Sequence, residues 1–296
     1  MIGRYSLAAL PWTLTGWTPY LWRVQRALET GKSGGADIPP IPAPVPGSVQ
    51  EALRAAGHLP DWTVGLQSRD CEWVEHRHWI YAVTLPDPWP AGGRRVRLRC
   101  LGLDGSGWIV VNGQEAGSFS DAFRPHEFDL TPFLRDQGNT LRIVFDLPPR
   151  WLGQFGATST ITEWKPRFNY TWDWMPRLVQ IGIWDDIELE VSDGTEIADL
   201  VCTACLGADG HGALDIRANV REPEDACVQL TLIRGEHTIR EGTYPAGDLQ
   251  AGLRWEGLAV EAWWPNGAGP QPLYTMRCRL LDRSGVGEDV VERRAG

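Results

Sequence analysis

Residues 107–119 read GWIVVNGQEAGSF. Two short apolar-rich runs flank Asn112-Gly113, a pair that tolerates the positive φ angles of a two-residue hairpin turn. The stretch predicts an antiparallel hairpin, and its neighbours extend the pattern. HWIYAVTLP (78–86), RRVRLRCLGL (94–103), HEFDL (126–130), NTLRIVFDL (139–147) and DDIELEV (185–191) are runs of β-branched, leucine and aromatic residues separated by turn formers, which read as strands. Together they predict an antiparallel β-sandwich or jelly roll.

A second series follows: LVCTACL (200–206), ALDIRANV (213–220), CVQLTLIRG (227–235), HTIREGTY (237–244), LRWEGLAVE (253–261) and LYTMRCRLLD (273–282). Strands of that length within roughly 100 residues suit an immunoglobulin-like sandwich. The expected division is 1–193 for the first domain and 194–296 for the second. No strand–helix alternation suggests a wound α/β fold, and no G-x-G-x-x-G, P-loop or G-x-S-x-G motif is present. The fold class is therefore all-β.

One short helix is well signalled. Ser48 can cap VQEALRAAG (49–57), with Glu51 as its reciprocal partner and Gly57 as the stop. Residues 18–30, TPYLWRVQRALET, form a second candidate helix. In GKSGGADIPPIPAPVPG (31–47), Gly and Pro predict an extended surface segment.

Composition excludes several classes. The chain has 296 residues, long enough for about two domains, and a net charge of −10 without any Lys/Arg-rich run. A nucleic-acid partner is not expected. No apolar run reaches bilayer length, so no membrane partner is expected either, and the start lacks the features of a signal peptide; the expected location is cytoplasmic. Six scattered cysteines do not form a disulfide framework. Cys202 and Cys205 make a lone C-x-x-C on a strand, where their side chains face opposite ways. No metal and no cofactor is expected. His76 and His78 share a strand face and read as surface histidines.

Trp is the unusual residue: 16 in all, 13 of them before residue 185. They fit either a large sandwich core or a ligand surface. The segment 169–177, NYTWDWMPR, sharpens the choice by placing Asp173 between Trp172 and Trp174. Two core indoles around an exposed acid would account for it. So would a polyol site, with rings to stack on and a carboxylate to accept hydroxyl hydrogen bonds.

PVPGSVQEALRAAGHLPD (44–61), EWVEHRHWIYAVTLP (72–86), GLDGSGWIVVNGQEAGSFSDAFRPHEFDLTPFL (102–134) and GNTLRIVF (138–145) resemble, in the same order, the N-terminal sugar-binding domain of glycoside hydrolase family 2. FNYTWDWMPRLVQIGIWDDIELE (168–190) is similar to the F-x-W-D-W-G-P and G-I-W segments of its β-mannosidase branch. Trp264-Pro265-Asn266-Gly267 and Gln271-Pro272-Leu273-Tyr274 resemble a segment of the family's immunoglobulin-like domain. The resemblance implies a galactose-binding-like jelly roll followed by an immunoglobulin-like sandwich, with a β-mannoside or related carbohydrate as ligand. It also implies a catalytic (β/α)₈ barrel as partner, carrying both glutamates of the chemistry. In the family the acid/base glutamate follows an asparagine, and this sequence holds no Asn-Glu pair. No catalytic residue is therefore assigned in this chain.

Carried over by position, Asp173 would bind sugar hydroxyls, Trp172 and Trp174 would shape the wall, and Arg177 would pair with the acid. Asp70, Glu72 and Trp73, read as a loop before a strand, are the second candidates. A charged strand edge accounts for those three equally well. A free-standing carbohydrate-binding module and a purely structural sandwich pair are the alternative readings. Two features depart from the family: Met175 stands where glycine is usual, and residues 18–47 are longer and richer in Pro and Gly.

Overall fold

At the turn that predicts the hairpin, Asn112 and Gly113 take φ angles of 52° and 83°. Val111 pairs directly with Gln114 across them. The computed structural model describes residues 3–86, 95–150, 152, 162–192, 195–221, 223, 226–281 and 287–296. The chain forms two compact units, Arg4–Val191 and Ser192–Gly296, the latter taking in Gly3 as well; the expected boundary at 193/194 lies outside the described residues.

In the first unit the strands are β1 (Gly3–Ser6), β2 (Thr13–Trp17), β3 (Ile38–Pro42), β4 (Gly47–Ser48), β5 (His78–Thr84), β6 (Arg95–Cys100), β7 (Leu103–Asp104), β8 (Gly107–Val111), β9 (Gln114–Phe119), β10 (His126–Asp129), β11 (Thr140–Phe145), β12 (Gly182–Ile183) and β13 (Ile187–Ser192). One sheet runs β3-β2-β5-β11-β8-β9, a second β1-β13-β6-β10, and a small third sheet runs β4-β12-β7. Side chains alternate across a strand, so Trp79, Tyr81 and Val83 of β5 meet Val96 and Leu98 of β6 and Leu189 of β13 in the core between the two larger sheets. The sandwich forms because each sheet has one apolar face to hide.

The other face of β5 is buried as well. Ile80 joins Trp17, Trp22, Leu28, Val110 and Val144 in a second cluster, under the short helices α1 (Leu21–Val24) and α2 (Ala27–Thr30). The single helix expected over 18–30 is thus two, separated at Arg26, which sits at φ 50°. This covering layer also overturns the surface reading of His78, whereas His76 is exposed as expected. His76 ends a 3₁₀ segment and is not on a strand, while His78 is 0% exposed. The Trp22 indole donates to His78 Nδ1 at 3.0 Å, which leaves the ring proton on Nε2, 2.9 Å from Asp146 Oδ1.

The Pro-rich segment is more regular than expected. β3 adds to the edge of the sheet by pairing Pro42 and Ile41 with Thr13 and Leu14, and an edge is where proline's missing donor is tolerated. Helix α3 (Val49–Ala55) has the expected capping box between Ser48 and Glu51.

The second unit comprises β14 (Glu196–Leu206), β15 (Gly212–Arg221), β16 (Cys227–Arg234), β17 (His237–Pro245), α4 (Ala246–Ala251), β18 (Leu253–Leu258), β19 (Tyr274–Leu281) and β20 (Gly287–Ala295). Its sheets, β14-β15-β18 and β17-β16-β19-β20, enclose Ile216, Val228, Leu230, Trp255, Met276 and Leu280. This is a sandwich of the immunoglobulin-like kind. All six cysteines of the chain are free thiols. Among the described residues, no helix is long and apolar enough to cross a membrane.

Candidate functional site

The Asp173 segment folds as a narrow finger. Leu178 N donates to Asn169 O at 2.9 Å, and the Trp172 and Met175 backbones exchange hydrogen bonds of 3.1 and 3.4 Å. Asp173 and Trp174 form the two-residue tip of the 172–175 turn, which follows a short 3₁₀ turn at Phe168–Tyr170. Tyr170 is buried and Trp172, Met175 and Arg177 half-buried, whereas Thr171 and Pro176 are exposed. Among the described residues neither indole belongs to a core: Trp174 is 75% exposed and meets Trp172 edge to face at 5.7 Å. The Asp173 carboxylate is exposed. The backbone with unusual geometry is Thr171, at φ 140°.

Arg177 does not pair with Asp173. Its guanidinium grips Glu75 through Nε at 3.1 Å to both carboxylate oxygens and through one terminal nitrogen at 2.6 Å, and it lies over the Tyr170 ring at 5.0 Å. The reason is burial: Glu75 is nearly hidden from solvent and needs a counter-charge. Asp173, at the tip, remains hydrated.

The EWVEH stretch is neither loop nor strand edge. It belongs to a 3₁₀ segment, Gln67–His76, whose three-residue period aligns residues 69, 72 and 75 on one face. Arg69 and Glu72 face the finger across a cleft of about 820 Å³ that also includes Trp62, Tyr170 and Arg177. Glu75 continues that face toward Arg177. Asp70 and Trp73 fall on another face; Asp70 is exposed, and Trp73 packs toward Trp79 with ring centroids 6.0 Å apart. Of the expected residues, Glu72 and Arg177 line this cleft, while Trp172, Asp173 and Trp174 stand on the finger outside its lining, and Asp70 and Trp73 lie apart from both.

Several polar residues beneath the finger escaped the sequence reading. Lys165, 4% exposed, makes a short hydrogen-bonded ion pair with Asp104 and donates to Gln180 O at 2.5 Å. Burial pushes the Asp104 carboxyl up and the Lys165 ammonium down, each shift opposed by the partner's charge. Burial likewise raises the Tyr170 phenol, helped by the nearby Glu75 carboxylate. Gln50 Nε2 donates to Val179 O at 2.6 Å. Among the described residues, no His/Cys/Asp/Glu group is arranged to hold a metal ion.

An all-β pair of sandwiches with an aromatic-and-acid finger on the first defines a class: a galactose-binding-like module joined to an immunoglobulin-like one. The comparisons give the family. The profile described as "Glycosyl hydrolase 2 galactose-binding domain-like" matches residues 22–185, and the chain belongs to glycoside hydrolase family 2. It is 29% identical over 271 residues to Beta-mannosidase B of Aspergillus terreus, covering 86% of this chain and 32% of that protein. Against Beta-mannosidase B of Emericella nidulans the identity is also 29%, over 80% of this chain and 30% of the relative. The β-D-mannosidase structure from Dictyoglomus thermophilum superposes with a TM-score of 0.78 at 22% identity, over 99% of this chain and 36% of that one. A β-glucuronidase from Ruminococcus gnavus shares the fold at a TM-score of 0.69 and 16% identity, over 100% of this chain and 46% of that one. The chain thus spans about a third of the length of the curated relatives it matches.

Proposed function

We propose that this chain is the non-catalytic N-terminal portion of a β-mannosidase-like enzyme, and that its finger completes the pocket for the terminal sugar of a β-mannoside. The observation that carries this reading is the tip: an exposed carboxylate with no side-chain partner among the described residues, flanked by the exposed Trp174 and the half-buried Trp172. An ionised carboxylate accepts strong hydrogen bonds from hydroxyls, and an indole face suits the C–H side of a sugar. In water such contacts are weak. They strengthen when a second surface excludes solvent, which is the part we assign to a (β/α)₈ barrel.

Bond cleavage is assigned elsewhere. A retaining glycosidase needs an acid/base and a nucleophile about 5 Å apart, and Asp173 at the finger tip has no second carboxylate assigned to such a pair. Its role is to bind and orient hydroxyls, and the chain alone hydrolyses nothing. The test is to replace the corresponding N-terminal third of the Dictyoglomus thermophilum enzyme with this chain and assay aryl β-mannoside and aryl β-glucuronide. Turnover of the mannoside by the chimera, with none by the isolated chain, is the expected result. Turnover by the isolated chain would refute the assignment.

A further inference from the structure

Among the described residues the Asp173 and Trp174 side chains at the tip make no hydrogen bond, and buried polar groups grip the finger nearer its base. Lys165 lies eight residues before Asp173 and Gln180 seven after it. The Lys165 ammonium joins these two feet through its 2.5 Å bond to Gln180 O, and the same nitrogen is anchored on the Asp104 carboxylate. Asp104 pairs in register with Gly182, two residues beyond Gln180. One buried cation therefore closes the neck of the loop and ties it to the β4-β12-β7 sheet. Higher up, Glu75 and Arg177 form a second clamp.

We infer that Lys165 is a positioning residue: with Asp104 it clamps the neck of the 165–180 loop and thereby presents Asp173 and its indoles in a binding-ready geometry. This inference rests on the proposed sugar-contacting role of the tip. Its physical basis is that a buried ion pair is a poor source of stability. Two charges lose their hydration, and apolar replacements of similar volume are often neutral or stabilising. What an apolar pair cannot supply is the donor to Gln180 O. Preorganisation of a ligand-contacting group is the gain that such a donor provides.

The test separates the two roles. Lys165→Met strands a buried carboxylate and is expected to lower the melting temperature. Lys165→Met combined with Asp104→Val removes both charges and is expected to melt within about 4 °C of the parent. Both are prepared with 5-fluorotryptophan, and the ¹⁹F resonances of Trp172 and Trp174 are assigned from Trp→Phe variants. In the stable double variant those two lines should shift and broaden by about twofold as the finger loosens, while the Trp79 and Trp255 lines stay in place. Unchanged Trp172 and Trp174 lines would overturn the inference. A double variant that fails to fold would also overturn it, because the pair would then be supporting the core. The resonances are read without sugar, so a failure here is distinct from a failure of the sugar-contacting role, which Asp173→Ala tests by activity.

Discussion

Asn112 shows how much one residue can carry beyond its turn. Its amide donates to Phe133 O and Asn139 Oδ1, both at 2.8 Å, and accepts from Thr140 N at 2.9 Å. Asn139 is fully buried, so Asn112→Ala would orphan buried polar groups as well as lose a residue suited to positive φ. A destabilisation of about 1–3 kcal/mol is expected in urea melts of the first unit; a change within error would contradict the role. Asp173→Ala should leave the same melts unaltered, since its carboxylate is exposed and makes no hydrogen bond or ion pair among the described residues. The turn at Asn112 was legible because it depends on two adjacent residues. Its link to Asn139, 27 positions on, was not, because local pattern carries no information about which distant amide will face it.

Among the elements, strands were the most legible and their second faces the least. β5 reads as a strand from HWIYAV, yet nothing in that run distinguishes one buried face from two. The difference lies in α1 and α2, short helices broken at Arg26 that cover His78. The resulting Trp22–His78–Asp146 chain has a pH signature. Burial would raise Asp146, but the His78 ring 2.9 Å away and the hydrogen bond from Leu147 N outweigh it and hold the carboxyl below its ordinary value. A depressed carboxylate contributes stability that is present above its unfolded value, about 3.9, and is lost as pH falls through the folded one. Asp146→Asn should therefore reduce stability at neutral pH and flatten its decline below about pH 4, measured by urea titrations at a series of pH values. A parallel offset with an unaltered slope would contradict this. The 3₁₀ segment was hidden for a related reason. Its three-residue period resembles neither helix nor strand, so the face that joins Arg69, Glu72 and Glu75 could not be traced beforehand.

At the scale of the molecule, tryptophan abundance had two explanations, a core and a ligand surface, and the core accounts for only part of it. Trp12, Trp17, Trp22 and Trp79 are buried in the first unit, while Trp164, Trp174 and Trp184 stay exposed. Composition could not divide them, because an indole serves a core and a sugar surface equally well. The second unit encloses a core of its own, from Ile197 to Leu280. A chain of residues 192–296 is expected to unfold cooperatively in urea, and a gradual, non-sigmoidal melt would contradict that. The buried Lys165–Asp104 pair remained invisible in the sequence because its partners are 61 positions apart and neither sits in a recognisable motif. The central claim concerns the tip that this pair supports, and kcat/KM for an aryl β-mannoside in the chimera tests it most directly. Loss of one charged hydrogen-bond acceptor predicts that Asp173→Ala lowers kcat/KM by about 10- to 100-fold or more at an unchanged melting temperature; an unchanged kcat/KM would contradict the account.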